Sequence, residues 1–182
     1  AIKTTLYRTG ADSPIVQALI NAARNGKEVT AVVELRARFD EAANIDLATQ
    51  LQEAGASVAY GVVGHKCHAK MLLVVRREEG RIRRYVHLGT GNYHTGTSRF
   101  YTDFSYLTAN PDIGEDVHNV FQQLTSLGGV LPMHRLLHAP FTLKTTLIEL
   151  IRAETEAARN GKPARIRAKL NALSEPEIIA SL

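Results

Sequence analysis

The chain has 182 residues and a mass of 20.0 kDa, with 45% hydrophobic and 22% charged residues; these are ordinary globular values that allow one large domain, or one domain and part of another. A single cysteine excludes an internal disulfide framework, no stretch approaches the ~20 apolar residues of a membrane span, and the opening Ala1–Arg8 segment carries no expectation of a secretory leader. Twenty-two basic residues against 18 acidic ones leave +4, an excess that suits an anionic ligand without demanding one, so the positions of the arginines matter more than their sum.

Helix and strand signals alternate from the start. Thr4–Arg8 reads as a short strand. Ser13 is a fitting N-cap with Pro14 at the first helical position, Ile15, Leu19, Ile20 and Ala23 recur at helical spacing, and Asn25-Gly26 ends the helix. Val29–Leu35 is a continuous β-rich apolar run, as in a buried parallel strand. A helix over Glu41 to about Ala54 and a strand over Ser57–Tyr60 complete a β-α-β-α-β order, which predicts an α/β sheet. The pattern then changes. Ala69–Arg76 and Arg83–Leu88 predict two strands of a hairpin around Glu78-Glu79-Gly80. Gly89–Asn92 is a turn, Phe100–Leu107 a further strand, and Ile113–Leu127 an amphipathic helix with Val117, Val120, Phe121 and Leu124 on one face. After a break at Gly128-Gly129 and Pro132, a long helix is expected over Thr142–Arg159, a strand over Ala164–Leu170, and the start of a helix at Pro176. The chain thus opens inside a strand and stops inside a helical pattern, so a domain over 1–135 followed by the incomplete start of another over 136–182 is expected.

Two clusters carry chemistry. In His68-Ala69-Lys70 the two polar side chains lie two residues apart at the mouth of an apolar strand, and so share a face, while Cys67 and Ala69 point away. An ammonium there can hold a phosphoryl oxygen. It also lowers the imidazole pKa, which keeps a nitrogen lone pair free to attack phosphorus. Twenty residues on, His87-Leu88-Gly89-Thr90-Gly91-Asn92 offers small residues that admit a ligand to the backbone, and an amide, Asn92, able to donate to phosphate or orient a histidine. Each motif alone is more often a polar strand end or an ordinary turn.

Together they resemble a half-site of the phospholipase D superfamily, in which the histidine is the phosphoryl-accepting nucleophile. The chain departs from that pattern at Val75, where the superfamily has an acidic residue five after the lysine; the departure counts against phosphodiester hydrolysis. A longer series of segments is more specific: Thr5–Arg8, Asp12–Ile15, Val33–Glu41 with its Ala-Arg-Phe-Asp-Glu run, Asn44-Ile45, His68–Lys70, His87–Asn92 and Arg99–Asp103, in this order. They resemble the polyphosphate kinase family over essentially all 182 residues. The resemblance implies an α/β fold, with a phospholipase D-like mixed sheet flanked by helices over 1–135 and the truncated start of a second such domain over 136–182.

It also implies reversible transfer of the terminal phosphate of ATP to polyphosphate through a phosphohistidine on His68, with Lys70 and Asn92 in the catalytic group. Tyr101 is implied as a nucleotide contact, and Arg8 and Arg38 as residues of a Mg²⁺ site. A guanidinium has no lone pair for a cation, so Arg8 and Arg38 are read as binding phosphate oxygens that themselves hold Mg²⁺. ATP/ADP and polyphosphate are the implied partners, with no nucleic acid. A homo-oligomer and a cytoplasmic location, with peripheral association at the inner membrane face, are implied for the whole enzyme; this chain alone is expected to be inactive. Three rival readings are a phospholipase D-type phosphodiesterase, a non-catalytic polyanion-binding module, and a zinc site at His65, Cys67 and His68, the last poorly matched by its spacing.

Overall fold

A computed structural model describes residues 1–182 except 11, 37–40, 63, 127 and 128. The chain divides into two compact units, Ala1–Arg135 and Leu136–Leu182.

The first unit is built on a six-stranded mixed sheet. Its strands are β1 (Ile2–Leu6), β2 (Val29–Val33), β3 (Ser57–Ala59), β4 (Lys70–Glu78), β5 (Arg81–Gly89) and β6 (Ser105–Thr108), in the order β3-β2-β1-β4-β5-β6. β1, β2 and β3 pair in parallel; β4 joins β1 antiparallel, and β5 and β6 follow antiparallel. Parallel neighbours need crossovers, and helices α1 (Pro14–Arg24) and α2 (Glu41–Glu53) supply them. α1 starts where Ser13 Oγ accepts the Val16 N–H with Pro14 in the first turn, as its sequence predicts. Val16, Leu19 and Ile20 of α1 and Leu47 and Leu51 of α2 bury against Leu6, Val29, Ala31 and Val33 of β1 and β2. Helix α3 (Pro111–Thr125) packs on β4 and β5 and carries the fully buried Val117 and Phe121. Each such side chain contributes about 1.5–3 kcal/mol on leaving water.

This topology brings five chain segments to one edge. β1 and β2 end there at Leu6 and Val33, β4 begins there at Lys70, β5 ends there at Gly89, and β6 begins there at Ser105, with Lys70 opposite Gly89 and Gly89 opposite Ser105. The carboxyl ends of parallel strands are where α/β sheets bind ligands.

Several predicted boundaries shift. The hairpin strands run on to Glu78 and back from Arg81, so the turn is the two-residue Glu79-Gly80, with φ of 49° and 78°. Two positive φ values make the tight turn whose twist suits a hairpin. The predicted strand over Phe100–Leu107 is mostly something else: Thr97–Arg99 forms a 3₁₀ turn and only Ser105–Thr108 enters the sheet.

The second unit contains α4 (Leu143–Arg159) and α5 (Pro176–Ser181), joined by Lys144 Nζ, which lies 2.9 Å from Glu175 and 2.5 Å from Glu177. Ala164–Leu170 is not a strand but an exposed stretch without secondary structure. Its alternation encodes a face, yet a strand also needs a neighbouring strand for its N–H and C=O groups, and among the described residues no strand pairs with it.

Candidate active site

His68 sits in the loop just before β4, exposed at the sheet edge, and Lys70 is the first residue of β4, only 6% exposed. The Lys70 ammonium donates to the His68 carbonyl at 2.7 Å and lies 3.1 Å from both ring nitrogens. The i, i+2 expectation therefore holds in space, although His68 itself is outside the strand. The Tyr7 ring meets the His68 ring edge-on at 5.1 Å, with Arg8 and Lys70 5.6 Å and 5.3 Å from the Tyr7 centroid. Tyr7 and Arg8 follow β1 directly, so the end of one strand lays an aromatic ring and a second cation beside the imidazole.

The electrostatics follow from this placement. Desolvation of the ring, followed by the charges of Lys70, Arg8 and Lys66, holds His68 below the ordinary imidazole value, so the ring is neutral near pH 7 and retains a lone pair. Burial pulls the Lys70 ammonium down to about 8, while the Asp103 carboxylate works in the other direction. Burial pushes the Cys67 thiol up to about 11, which leaves it protonated and a poor metal ligand.

A set of hydrogen bonds holds the His68 loop from behind. Glu34, at the end of β2 and 3% exposed, accepts from the Cys67 N–H at 2.8 Å and from the Arg36 N–H at 2.9 Å. Arg36 donates to the His65 carbonyl at 3.1 Å. The buried Asn44 of α2 donates to the carbonyls of Tyr7 at 2.9 Å and Glu34 at 2.8 Å. The Thr5 hydroxyl donates to the Ala69 carbonyl at 2.6 Å and accepts the Met71 N–H at 3.0 Å, completing the seam between β1 and the start of β4.

The second cluster lines the same edge. Thr90 donates to Asp103 at 2.8 Å and accepts the Phe104 N–H at 2.9 Å, which ties the Gly89–Asn92 turn to the segment entering β6. A Cβ on Gly91 would collide with the Asp103 carboxylate, so any larger residue there must displace Asp103. The Asn92 Oδ1 is buried without a hydrogen-bond partner among the described residues. His87 lies 2.8 Å from the Tyr93 hydroxyl and 2.5 Å from that of Ser105, and burial holds it below the ordinary imidazole value. His94 Nδ1 accepts the N–H groups of Gly96 and Thr97 at 3.1 Å each, so its proton sits on Nε2.

Of the residues named from sequence, the fold thus gathers His68, Lys70 and Arg8 into one cluster, with Asn92 in the adjoining turn. Tyr101 follows the 3₁₀ turn, is 64% exposed and, among the described residues, has no side-chain hydrogen bond or ring contact to that cluster. Arg38 lies outside the described residues. Among the described residues no group of three or more His, Cys, Asp or Glu side chains could hold a metal ion, so the His65–Cys67–His68 zinc reading does not fit the side chains there. Sequence reasoning missed Tyr7, Asn44 and the clamping role of Glu34. A carboxylate closing an otherwise apolar strand, Val29–Val33, was the one available signal.

Comparison with known proteins follows the same division of the chain. Residues 1–129 match the family model for polyphosphate kinase C-terminal domain 1, and residues 136–182 match the model for polyphosphate kinase C-terminal domain 2. The polyphosphate kinase of Burkholderia ambifaria (strain MC40-6) is 64% identical over 186 residues, covering all of this chain and 27% of that protein. That of Pseudomonas aeruginosa PAO1 is 61% identical over 182 residues, covering all of this chain and 26% of that protein. The chain therefore spans about a quarter of the length of these curated relatives. The crystal structure of polyphosphate kinase from Porphyromonas gingivalis superposes with a TM-score of 0.85 at 35% identity, over 99% of this chain and 30% of that one. Nuc, a phospholipase D family member from Salmonella typhimurium, superposes with a TM-score of 0.55 at 20% identity over 68% of this chain and 76% of its own, a likeness of fold alone.

Proposed function

This chain belongs to the polyphosphate kinase family, and on that premise we propose that the enzyme containing it moves the terminal phosphate of ATP reversibly onto polyphosphate through a phosphohistidine at His68. The observation that carries the reading is the imidazole of His68, held neutral near pH 7, within 3.1 Å of the Lys70 ammonium, with the Arg8 charge also acting on it. A ring nitrogen of His68 attacks the γ-phosphorus; the P–N bond forms as the bond to the bridging oxygen breaks, and ADP leaves with that electron pair. The terminal oxygen of polyphosphate then attacks the same phosphorus, the P–N bond breaks, and the imidazole is restored. Such transfers depend on in-line positioning and on neutralising charge spread over the phosphoryl oxygens. Lys70 and Arg8, with Arg38, supply that charge, Asn92 orients the site from the neighbouring turn, and Tyr101 contacts the nucleotide. Mg²⁺ would be held through phosphate oxygens that Arg8 and Arg38 bind, and would add to the neutralisation of phosphoryl charge there.

Residues 136–182 are assigned to the opening of a second phospholipase D-like domain, and the 182-residue chain alone is expected to bind polyanions without turnover. Oligomerisation and peripheral membrane association would belong to the whole enzyme; among the described residues no helix is long and apolar enough to cross a membrane. The test is labelling of the full-length enzyme with γ-³²P-ATP. Wild type should take label into an acid-labile, base-stable adduct and His68→Gln should take none; the same adduct in His68→Gln would remove His68 from the mechanism.

A further inference from the structure

The end of the sheet remote from His68 carries most of the chain's net charge. Residues 76–84 contain Arg76, Arg77, Arg81, Arg83 and Arg84 against Glu78 and Glu79, a local excess of +3 within a chain of +4. The sheet register shows why these residues stand out. β4 and β5 pair over nine positions, Lys70–Gly89 to Glu78–Arg81, but β1 covers only Ile2–Thr4 against Leu72–Val74, and β6 covers only Val86–Gly89. Beyond those neighbours the hairpin continues as a two-stranded ribbon with arginines on both faces.

Internal neutralisation is incomplete. Glu78 serves Arg76 at 3.3 Å and Arg83 at 3.6 Å and accepts from the Tyr85 hydroxyl at 2.8 Å. Arg77 and Arg81 are exposed and have no ion pair among the described residues. Arg84 sits against Gly114 of α3, where a Cβ would come within 2.9 Å of the Arg84 Cβ, so its stem is held in place. Among the described residues its Nε is buried without a partner, as is the Nδ1 of His118, whose pKa is lowered by burial and then by the charges of Arg84 and Lys3. The register places Lys3, Arg84 and Arg77 on one face of the hairpin, and Arg76, Arg83 and Arg81 on the other, the face that Lys70 shares at its far end. Like charges gathered on an exposed two-stranded projection repel one another, and a linear polyanion relieves that repulsion while releasing its own counterions.

We propose that this ribbon is a second holding point for the inorganic polyphosphate chain, engaging phosphates well away from the reacting terminus. The proposal rests on the reaction proposed for His68 and deepens it by assigning the ribbon a preference for long polymer. From Lys70 to Glu78 the strand advances eight residues, about 26 Å at ~3.3 Å each. A chain must therefore exceed that span to reach both His68 and the ribbon, and shorter chains cannot benefit.

The experiment uses the full-length enzyme and the double variant Arg77→Gln/Arg81→Gln, two exposed positions whose loss leaves the sheet intact. Expected is a rise of about threefold to tenfold in KM for long polyphosphate, with a shallower salt dependence of its binding. The KM for ATP, and that for polyphosphate too short to span the distance, should not change. Equal effects on long and short chains, or no effect on either, would overturn the proposal. So would competition by a single-stranded oligonucleotide as effective as polyphosphate of equal charge, which would make the ribbon a nucleic-acid surface. Direct titration of long polyphosphate separates the two readings: wild type without phosphotransfer, but with ribbon-dependent polymer binding, would reject the reaction and keep the holding point.

Discussion

The Glu34 clamp gives the sharpest test of how the edge is built. Its carboxylate accepts two backbone N–H groups, that of Arg36 at 2.9 Å and that of Cys67 at 2.8 Å, and the second of these belongs to the residue beside His68. Hydrogen bonds to a charged acceptor contribute about 1.5–3 kcal/mol each. Glu34→Gln keeps the volume and one acceptor oxygen but turns an NH₂ group toward the other N–H, so one bond of the two is lost. If opening of the loop is limited by this clamp, a loss of that size speeds amide exchange there by about tenfold to a hundredfold, since 1.4 kcal/mol is tenfold. Hydrogen exchange followed by mass spectrometry on the full-length enzyme reads this directly. A peptide spanning residues 64–70 should exchange faster in Glu34→Gln, while one from the middle of α2 should not. The kcat for phosphotransfer should fall with little change in the KM for ATP, because the loop carries the proposed nucleophile His68 and not the proposed nucleotide contact Tyr101. Unchanged exchange at 64–70 would show that the clamp does not hold the loop.

Four further outcomes follow from the same geometry. Lys70 titrates near 8, so kcat/KM should fall as pH rises through about 8, and Lys70→Arg, which stays charged, should remove that alkaline limb from the measured profile. The sign for stability is opposite: the Lys70 pKa in the fold lies below its ordinary 10.5, so the unfolded chain binds more protons between about 8 and 10.5, and this residue adds stability as pH rises through that window, visible in urea midpoints. Gly91→Ala should push the Asp103 carboxylate away from Thr90, at about 1–3 kcal/mol for overpacking, seen as a lower thermal midpoint together with lost transfer. Tyr101→Ala should leave the thermal midpoint unchanged, because the side chain is 64% exposed; a severalfold rise in the KM for ATP with none for polyphosphate would support its nucleotide role, and an unaltered KM would remove it.

Local signals were legible in the sequence where local physics decides. Ser13-Pro14 starts α1, the apolar run at Val29 makes β2, and the spacing of His68 and Lys70 puts ring and ammonium together. What could not be read depends on partners. Phe100–Leu107 has strand composition, but Asp103 and Phe104 are already engaged by Thr90, and the ladder to β5 begins only at Ser105. Ala164–Leu170 alternates apolar and basic residues and still forms no strand, because alternation says nothing about whether a neighbour is present. Glu34, Asn44 and Tyr7 were invisible for a related reason: Glu34 reaches Cys67 across 33 residues and Asn44 reaches Tyr7 across 37. Pairings at that separation leave no periodic trace in one sequence.

Val75 acquires a different meaning once β4 is in place. It lies five residues from Lys70, about 17 Å along the strand, on the opposite face and directly across from Arg84. An acidic residue there would not have faced the His68 ring, so its absence does not itself decide between hydrolysis and transfer at this edge. That choice rests on water. His68 stands exposed in the unit Ala1–Arg135, and a phosphoryl group on an exposed imidazole is open to hydrolysis unless the site excludes solvent. The 182-residue chain, phosphorylated chemically with phosphoramidate, should therefore lose phosphate from His68 to water at the rate of a small phosphohistidine peptide and pass little of it to polyphosphate. Phosphorus NMR distinguishes the outcomes, since released orthophosphate and lengthened polymer resonate apart. Efficient transfer to polyphosphate from this chain would show that the edge built from Tyr7, Arg8, Lys70 and Asn92 excludes water on its own.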